Sequence, residues 1–417
     1  MDAIYKIFRV LIPVVTLLML QFSCKKNDGY NDVISDDKTK PQPVSNIQVI
    51  NKNGGAYITY TLPDSKNVLY VQAEYMINDT KSRQTKSSFY SDTIAVGGFA
   101  KSQDYTVTLY TVTRADVKSD PVKVTVHPGT PTYLQALPTV VMRADFGGIN
   151  ISVTNTAKDN IGVVTITEDA TTKKMEIKNQ NYTNQENINY SIRGYDTIPR
   201  KFGIYLADEF GNISDTVYAT IKPIYETIMD KSKFNVYKLN SDDGSSFGWE
   251  LRYMWDNNLG RPGYHSTYPT TAPLPKWVTF DMGQVAKLSR FTMWGRGLDD
   301  GNYLWGYGNP DTWVMWGRAD EPVDEILPDT TNLPALGQAT PGGWINMGVY
   351  HLPAQPSGLV SPAYNNADLA FWNAGFGYNF SLNLPKVRYM RFECVTNAAH
   401  SNEFFHIMEL SIWGDNR

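Results

Sequence analysis

The 417-residue sequence predicts an all-β protein built from several β-sandwich domains. From Ile47 onwards the apolar residues fall in short runs that alternate with polar ones, as in residues 105–112, and this two-residue period is typical of strands. Turn-forming pairs such as Gly-Gly and Asn-Asp separate the runs, and no long segment has the 3.6-residue period of a helix. Because the chain is too long for one hydrophobic core, we expect three folded domains.

The composition and charge of the chain argue against general nucleic-acid binding. The chain is 42% hydrophobic and 19% charged, which provides enough apolar material for packed cores. Its formal net charge is −4, so it offers no positive field that would attract a phosphate backbone. General nucleic-acid binding is therefore disfavoured.

The N-terminus predicts an export signal over residues 1–23. Lys6 and Arg9 precede an apolar run at residues 10–20, and Ser23 stands directly before Cys24. A bilayer crossing needs about 20 apolar residues, so this shorter run is not expected to remain as a membrane span. The placement of Cys24 resembles a lipoprotein signal, in which the thiol is acylated. A secreted soluble protein with a free cysteine is the alternative.

Residues 24–40 form a polar tether. Their aspartates resemble the acidic tract that sends Bacteroidetes lipoproteins to the outer face of the outer membrane. A flexible linker without such a signal is the alternative. If Cys24 is acylated, Cys394 has no partner, and its alternation with Phe392 predicts a buried thiol.

Two sandwiches are expected after the tether, over residues 41–128 and 129–225. The first resembles a fibronectin type III domain. The second contains Asp208-Glu-Phe-Gly-Asn212-Ile-Ser214, which resembles the ending of bacterial immunoglobulin-like modules. Neither contains a cluster of chemically active residues, so both are interpreted as spacers.

The composition changes in the third domain, residues 226–417. All ten Trp and four of the five His lie between Trp249 and Trp413. Three segments occur in an order that resembles the discoidin family, a galactose-binding-like jelly roll shared by many carbohydrate-binding modules. They are Trp277-Val-Thr-Phe-Asp-Met-Gly, Val387-Arg-Tyr-Met-Arg-Phe and Met408-Glu-Leu-Ser-Ile-Trp-Gly. The resemblance covers nearly the whole domain, with a long insertion at residues 321–364.

The arrangement of two sandwiches and a discoidin-like domain also resembles the surface lipoproteins of Bacteroidetes polysaccharide-utilisation systems. That resemblance implies a lipid-anchored protein on the outer membrane that captures glycan beside an outer-membrane importer. It also implies binding without catalysis.

The discoidin resemblance implies a structural Ca²⁺ where a loop meets the last strand. Asp256 in the loop and Glu409 in the strand match the two carboxylates of that site. A turn capped by the Asp256 side chain is an equal alternative.

Sugars stack on exposed aromatic rings, so aromatic residues in loops are the candidates for a binding face. Trp277, Trp294 and Trp413 lie in strand phrases and are expected in the core. Trp313 and Trp316 lie on opposite faces of one strand, and at least one must be buried. The glycan-binding candidates lie in or beside loops: Trp305, Trp372, Tyr303, Arg296, Phe376, His400 and Tyr264. For Arg296, an ion pair with Asp299 or Asp300 is an equal alternative.

Three other functions remain as alternatives. A glycosidase could draw on Asp299 and Asp300 with Glu403 or Glu409, but no catalytic domain accompanies them. An adhesin would use the same loops to bind host protein or lipid. A structural accessory subunit of an importer would bind no glycan.

Overall fold

The computed structural model describes residues 35–169, 171–269, 272–299, 301–401 and 403–417. The acylation site expected at Cys24 lies outside these residues. Within the described part of the chain, no helix has the length and apolar character needed to cross a membrane. The described residues form 24 strands and two short α-helices, which confirms the all-β class.

The first module is a sandwich of seven antiparallel strands. They are β1 Ser45–Lys52, β2 Gly55–Thr61, β3 Val68–Met76, β4 Ser82–Ser88, β5 Thr93–Gly97, β6 Tyr105–Thr113 and β7 Val122–Val126. One sheet has the order β1-β2-β5 and the other β4-β3-β6-β7. Alternate residues of a strand face opposite sides of its sheet, so Tyr105, Val107 and Leu109 are buried while Thr106 is exposed.

The second module is also a two-sheet sandwich. Its elements are α1 Thr132–Ala136, β8 Val141–Asp145, β9 Gly148–Thr154, β10 Ile161–Glu168, β11 Met175–Thr183, β12 Asn187–Ile192, β13 Arg200–Ala207 and β14 Val217–Ile221. The sheets have the orders β12-β9-β8 and β11-β10-β13-β14. Tyr133 and Ala136 of α1 pack into the same core as Ile161 and Val163 of β10.

A turn of the second module docks on the first. A Cβ atom built on Gly98 would lie 2.8 Å from Cγ of Phe210, so a side chain larger than glycine would displace the ring. The guanidinium carbon of Arg83 lies 4.2 Å from the centroid of that ring. The side-chain amide of Asn212 donates to the Gly98 carbonyl at 2.8 Å. The Asp208–Ser214 motif therefore joins two modules.

The third module contains the remaining elements. They are β15 Thr227–Ile228, β16 Asn235–Val236, β17 Tyr264–His265, β18 Lys276–Trp294, β19 Pro310–Arg318, β20 Ile345–His351, α2 Asn366–Ala374, β21 Phe376–Asn379, β22 Val387–Asn397, β23 His406–Ile407 and β24 Glu409–Asp415. The main strand order is β15-β24-β18-β22-β19-β20, with β16 and β21 also paired to β18 and with β17 paired to β23.

Strand β18 belongs to both layers of this sandwich. Its first part pairs with β22 and its second part with β24, and the register shifts between Asp281 and Ala286. Gly283 lies in this break with φ +65°, a conformation that favours glycine. The loop after β18 meets the loop before β23 at one end of the module, where the His406 amide donates to the Gly308 carbonyl at 2.9 Å.

The tryptophans of the third module are distributed largely as the sequence predicts. Trp313 and Trp316 are both fully buried, Trp313 in the main core and Trp316 in a second cluster on the other face of the sheet. Trp277, Trp294 and Trp413 are half-buried at the margins rather than fully inside. Cys394 is buried as expected, and burial raises the pKa of its thiol.

Part of the insertion covers the sheet face that carries Trp316. Leu327 and Trp344 join Trp316 in the second cluster, and the indole N–H of Trp344 donates to the Val323 carbonyl at 3.0 Å. The insertion therefore builds a small second core on this face of the sheet.

A polar joint connects the second and third modules. The carboxylate of Glu226 accepts hydrogen bonds from Ser289 at 2.6 Å and from Nε of Arg290 at 3.2 Å. Arg193 of the second module lies 3.6 Å from the same carboxylate and donates to Asn379 at 3.1 Å. Because Glu226 contacts side chains from both modules, it fixes their relative orientation.

Candidate functional site

Three of the predicted glycan-binding aromatics form a cluster at the end of the sandwich. Trp372 and Phe376 are each only 2% exposed, and their ring centroids lie 5.0 Å apart. Trp372 belongs to helix α2, whose first turn is closed by a capping box between Asn365 and Asp368. The helix directs Trp372 inward, so neither ring is available to a sugar. The expectation that Trp372 and Phe376 are exposed is corrected.

Trp305 packs against the same cluster. Its ring centroid lies 4.7 Å from that of Trp372, and its indole N–H donates to the Pro353 carbonyl at 2.6 Å. The loop folds inward because the Asn309 side-chain amide donates to the carbonyls of Arg296 and Tyr303 at 3.0 and 2.7 Å. Trp305 is half-buried, and contact between it and glycan stays a prediction.

Tyr264 is also buried, which corrects the expectation that it lies in an accessible loop. It is 1% exposed and its hydroxyl donates to the Gly244 carbonyl at 2.7 Å. It lies in β17, whose pairing with β23 carries the ring beneath the loop end.

A different set of rings is exposed at this end. Phe247, Tyr268 and Tyr307 are 69%, 40% and 45% exposed. The centroids of Tyr268 and Tyr307 lie 5.2 and 5.0 Å from that of buried Phe404, and Phe247 lies 6.4 Å from Tyr268. We call Phe247, Tyr268 and Tyr307 the aromatic ledge.

Two residues of the ledge have an unfavourable backbone conformation. Phe247 and Tyr307 have φ angles of +58° and +56°, in the left-handed region that bulky residues rarely occupy. Such a conformation costs about 1 to 3 kcal/mol and is concentrated at functional sites. A glycine at either position would avoid that cost. Neither ring is buried in a core that would explain why an aromatic residue stands there.

A cation lies behind the ledge. The guanidinium carbon of Arg296 lies 4.0 Å from the Tyr303 ring centroid and 5.1 Å from that of Trp249. Tyr303 in turn lies 5.1 Å from Tyr307, measured between ring centroids. Asp299 lies 3.7 Å from Arg296, so the alternative ion pair is present. The ledge therefore rests on a stack of rings and a cation.

Two buried histidines support Phe404 from below. The ring of His265 stacks on Phe404 with centroids 4.8 Å apart. Burial lowers the pKa of His265, and it lowers the pKa of His406 further. Both are therefore neutral near pH 7 and act as packing groups.

His400 lies beside the ledge. It is exposed, in a turn whose Ala399 amide donates to the Tyr307 carbonyl at 3.0 Å. Among the predicted residues, Arg296, Tyr303 and His400 are thus close to the ledge, and their contact with glycan stays a prediction.

The residues at the implied calcium site do not fit a calcium ion. Glu409 is paired with the ammonium group of Lys231 at 2.5 Å, and its other oxygen accepts the Asn257 amide at 2.8 Å. The exposed Asp256 accepts the Asn258 amide at 2.9 Å, as in a capped turn. Within the described residues, no group of three or more His, Cys, Asp and Glu could hold a metal ion.

The three residues of the ledge are not among those that the sequence predicts for the site. Phe247 and Tyr307 are each followed by glycine and Tyr268 by proline, in loops without alternation. An aromatic residue directly before a turn residue was the available signal. The sequence around Trp372 is interpreted as a loop, although Asn365 and Asp368 form the capping box of a helix that contains it.

Comparison with known proteins gives the following matches. Three family models, each described as a domain of unknown function, match residues 41–128, 129–232 and 255–414. No curated protein matches the sequence. A SusE-like protein of known structure is similar, with 27% identity over 69% of this chain and 100% of that chain and a TM-score of 0.42.

Two further solved structures are similar to part of the chain. A family 32 carbohydrate-binding module of a family 31 glycoside hydrolase from Clostridium perfringens is 14% identical over 45% of this chain and 95% of that one, with a TM-score of 0.32. A putative chitobiase fragment from Bacteroides thetaiotaomicron is 18% identical over 46% of this chain and 94% of that one, with a TM-score of 0.31. The solved structures that are similar to this chain thus include a SusE-like protein and a carbohydrate-binding module.

Proposed function

We propose that the third module binds carbohydrate on the aromatic ledge and performs no catalysis. The observation that supports this most directly is the grouping of three solvent-exposed rings around Phe404, with Phe247 and Tyr307 held at positive φ. Side chains that keep such a backbone conformation without being buried are best explained by a contact with a ligand.

The chemistry of the ledge fits a sugar. The C–H face of a pyranose is apolar and stacks on an aromatic ring, while its hydroxyls require polar partners nearby. Phe247 provides a purely apolar face, whereas Tyr268 and Tyr307 add hydroxyl groups. His400 provides an exposed polar group beside Tyr307.

Binding without hydrolysis is supported by the carboxylates near the loop end. Asp299 is paired with Arg261 at 2.5 Å, and Glu409 is paired with Lys231 at 2.5 Å. A glycosidase needs one carboxyl group that donates a proton and another that remains ionised and accessible. Asp299 is thus already engaged by an arginine, and Glu409 is only 1% exposed, so neither is an accessible free carboxylate.

The proposed place of action is the cell surface. Acylation of Cys24 would tether the chain to the outer membrane, and glycan captured on the ledge would pass to an outer-membrane importer. A SusE-like protein and a carbohydrate-binding module are among the similar solved structures, in keeping with glycan capture.

The ledge is tested by affinity electrophoresis of the full chain in gels that contain different neutral and acidic polysaccharides. For any glycan that retards the wild type, Phe247→Ala and Tyr307→Ala should each weaken binding about tenfold, which corresponds to about 1.4 kcal/mol. Phe371→Ala is the matched control. Phe371 is an exposed aromatic residue of the same module, and its ring stacks near Trp305 and not on the ledge.

Equal retardation of the ledge variants and the wild type would place glycan binding elsewhere. No retardation by any glycan, together with capture of a host protein or lipid, would favour the adhesin. Stable copurification with an importer and no glycan affinity would favour a structural subunit.

The anchor is tested separately in cells. Cys24→Ala should move the protein from the membrane fraction to the soluble fraction, because the thiol that accepts the lipid is removed. A membrane fraction equal to that of the wild type would rule out this anchor.

A further inference from the structure

The junction between the start and the end of the third module contains a buried ammonium ion. Nζ of Lys231 lies 2.5 Å from Oε1 of Glu409 and 2.9 Å from Oδ1 of Asn257. The side chains of Lys231 and Glu409 are only 10% and 2% exposed. The backbone amide of Asn257 donates to the second carboxylate oxygen of Glu409 at 2.8 Å. One cation thus joins three segments that are distant in the sequence.

The local backbone delivers Lys231 to this position. The Met229 amide donates to the Ile412 carbonyl at 2.8 Å, which aligns the segment along β24. Asp230 then caps a single 3₁₀ turn by accepting the Ser232 amide at 3.0 Å. Lys231 is the first residue of that turn, and its side chain points to Glu409.

The oxygen atoms around Nζ are of the kind that Ca²⁺ prefers, namely a carboxylate and a side-chain amide. An ammonium group occupies this position instead, with a single charge and three hydrogen-bond donors. A calcium ion would need six to eight oxygens at about 2.4 Å and would have to displace that ammonium group.

We propose that the ammonium group of Lys231 takes the place of the structural calcium ion that the discoidin resemblance implies, so that the third module closes without metal. Lys231 is thus a positioning residue. It neutralises Glu409 inside the module and fixes the loop that begins at Asp256.

This arrangement also concerns the ledge, and that part rests on the proposed function. The loop held by Lys231 continues to Arg261, which pairs with Asp299 at 2.5 Å, and Asp299 lies 3.7 Å from Arg296 behind the ledge. Since the loop is held by a lysine that is always present, glycan binding should not depend on the calcium concentration.

The test compares melting temperatures of the full chain in chelator and in millimolar calcium, followed by Trp fluorescence. All ten Trp lie in the third module, so this signal reports that module alone. The wild type should melt at the same temperature in both buffers. Lys231→Met should melt about 6 °C lower or more, because a buried carboxylate loses its partner. Lys233→Met is the matched control, since Lys233 is exposed two residues away.

A calcium-dependent rise in the melting temperature of the wild type would overturn the proposal. Equal melting temperatures for Lys231→Met and Lys233→Met would overturn it as well. If Lys231→Met does not fold, the melting temperatures of the wild type in chelator and in calcium still test the proposal. A protein that binds no glycan at all would refute the proposed function, yet the melting temperatures would still test the role of Lys231.

Discussion

The indole N–H of Trp316 donates to Oε2 of Glu393 at 2.7 Å inside the third module, where both side chains are buried. The other carboxylate oxygen of Glu393 is buried and has no hydrogen-bond partner among the described residues. Burial raises the pKa of Glu393 from its ordinary value of 4.5 to about 7. The indole of Trp316 and the other groups that favour the ionised form therefore do not compensate for removing this carboxylate from water.

Glu393 should consequently contribute less to the stability of the third module as the pH rises. The folded state holds the Glu393 proton more tightly than the unfolded chain, so this contribution is fully present below about pH 4.5 and is lost as the pH passes about 7. The shift corresponds to roughly 3 kcal/mol. Urea unfolding followed by Trp fluorescence at several pH values measures it.

Glu393→Gln should remove most of this pH dependence and should be more stable than the wild type at pH 8. Glu403→Gln, at an exposed position, is the control. Parallel pH profiles for the wild type and Glu393→Gln would contradict the assignment.

Trp372→Ala should destabilise the third module by about 3 to 5 kcal/mol, because a large buried ring is removed from a packed cluster. Its neighbour Phe371 is 38% exposed, so Phe371→Ala should cost far less. Urea midpoints give both values. Glycan affinity of folded Trp372→Ala should stay within about twofold of the wild type, and a selective loss of binding in a stable protein would return Trp372 to the site.

The contact between Phe210 and Gly98 yields a prediction about shape. Phe210→Ala removes the ring that fills the joint between the first two modules, so the modules should move relative to each other. Small-angle X-ray scattering should show a broader distribution of interatomic distances than for the wild type. Ile213→Ala, three residues away and 63% exposed, should leave the scattering curve unchanged. Superimposable curves for all three proteins would show that Phe210 does not hold the joint.

The joint at Glu226 can be examined by hydrogen exchange. Glu226→Ala leaves Arg193 and Arg290 without the carboxylate they share, so amides of residues 222–228 should exchange faster. The Ile224 amide, which donates to the Asp145 carbonyl at 2.9 Å, reports this directly. Glu209→Gln serves as the control, because Glu209 is an exposed acidic residue of the second module. Unchanged exchange in Glu226→Ala would assign the stability of the joint to its apolar contacts.

The fold class could be predicted because it depends on local periodicity. The alternation in residues 105–112 directly reflects the two faces of one strand, and the three-residue spacing of Trp313 and Trp316 requires opposite faces. These inferences need no knowledge of which segments meet in space.

The details of the site depend on such knowledge. Phe247, Tyr268 and Phe404 come from three separate loops, and only the meeting of β17 and β23 brings those loops together. Lys231 and Glu409 are 178 positions apart, so no local pattern links them. Trp372 lies inward because helix α2 forms where the sequence predicts a loop.

The two joints also constrain how this architecture can be recombined. A chimaera that transplants the ledge-bearing module has to carry Glu226 and a host surface with an arginine equivalent to Arg193. Likewise, any module placed before the second sandwich needs a glycine at the position of Gly98, so that the ring of Phe210 can pack there. Modules can therefore be exchanged only between proteins that share these interface contacts. Successful fusions should preserve both the Glu226–Arg193 contact and the Gly98–Phe210 contact.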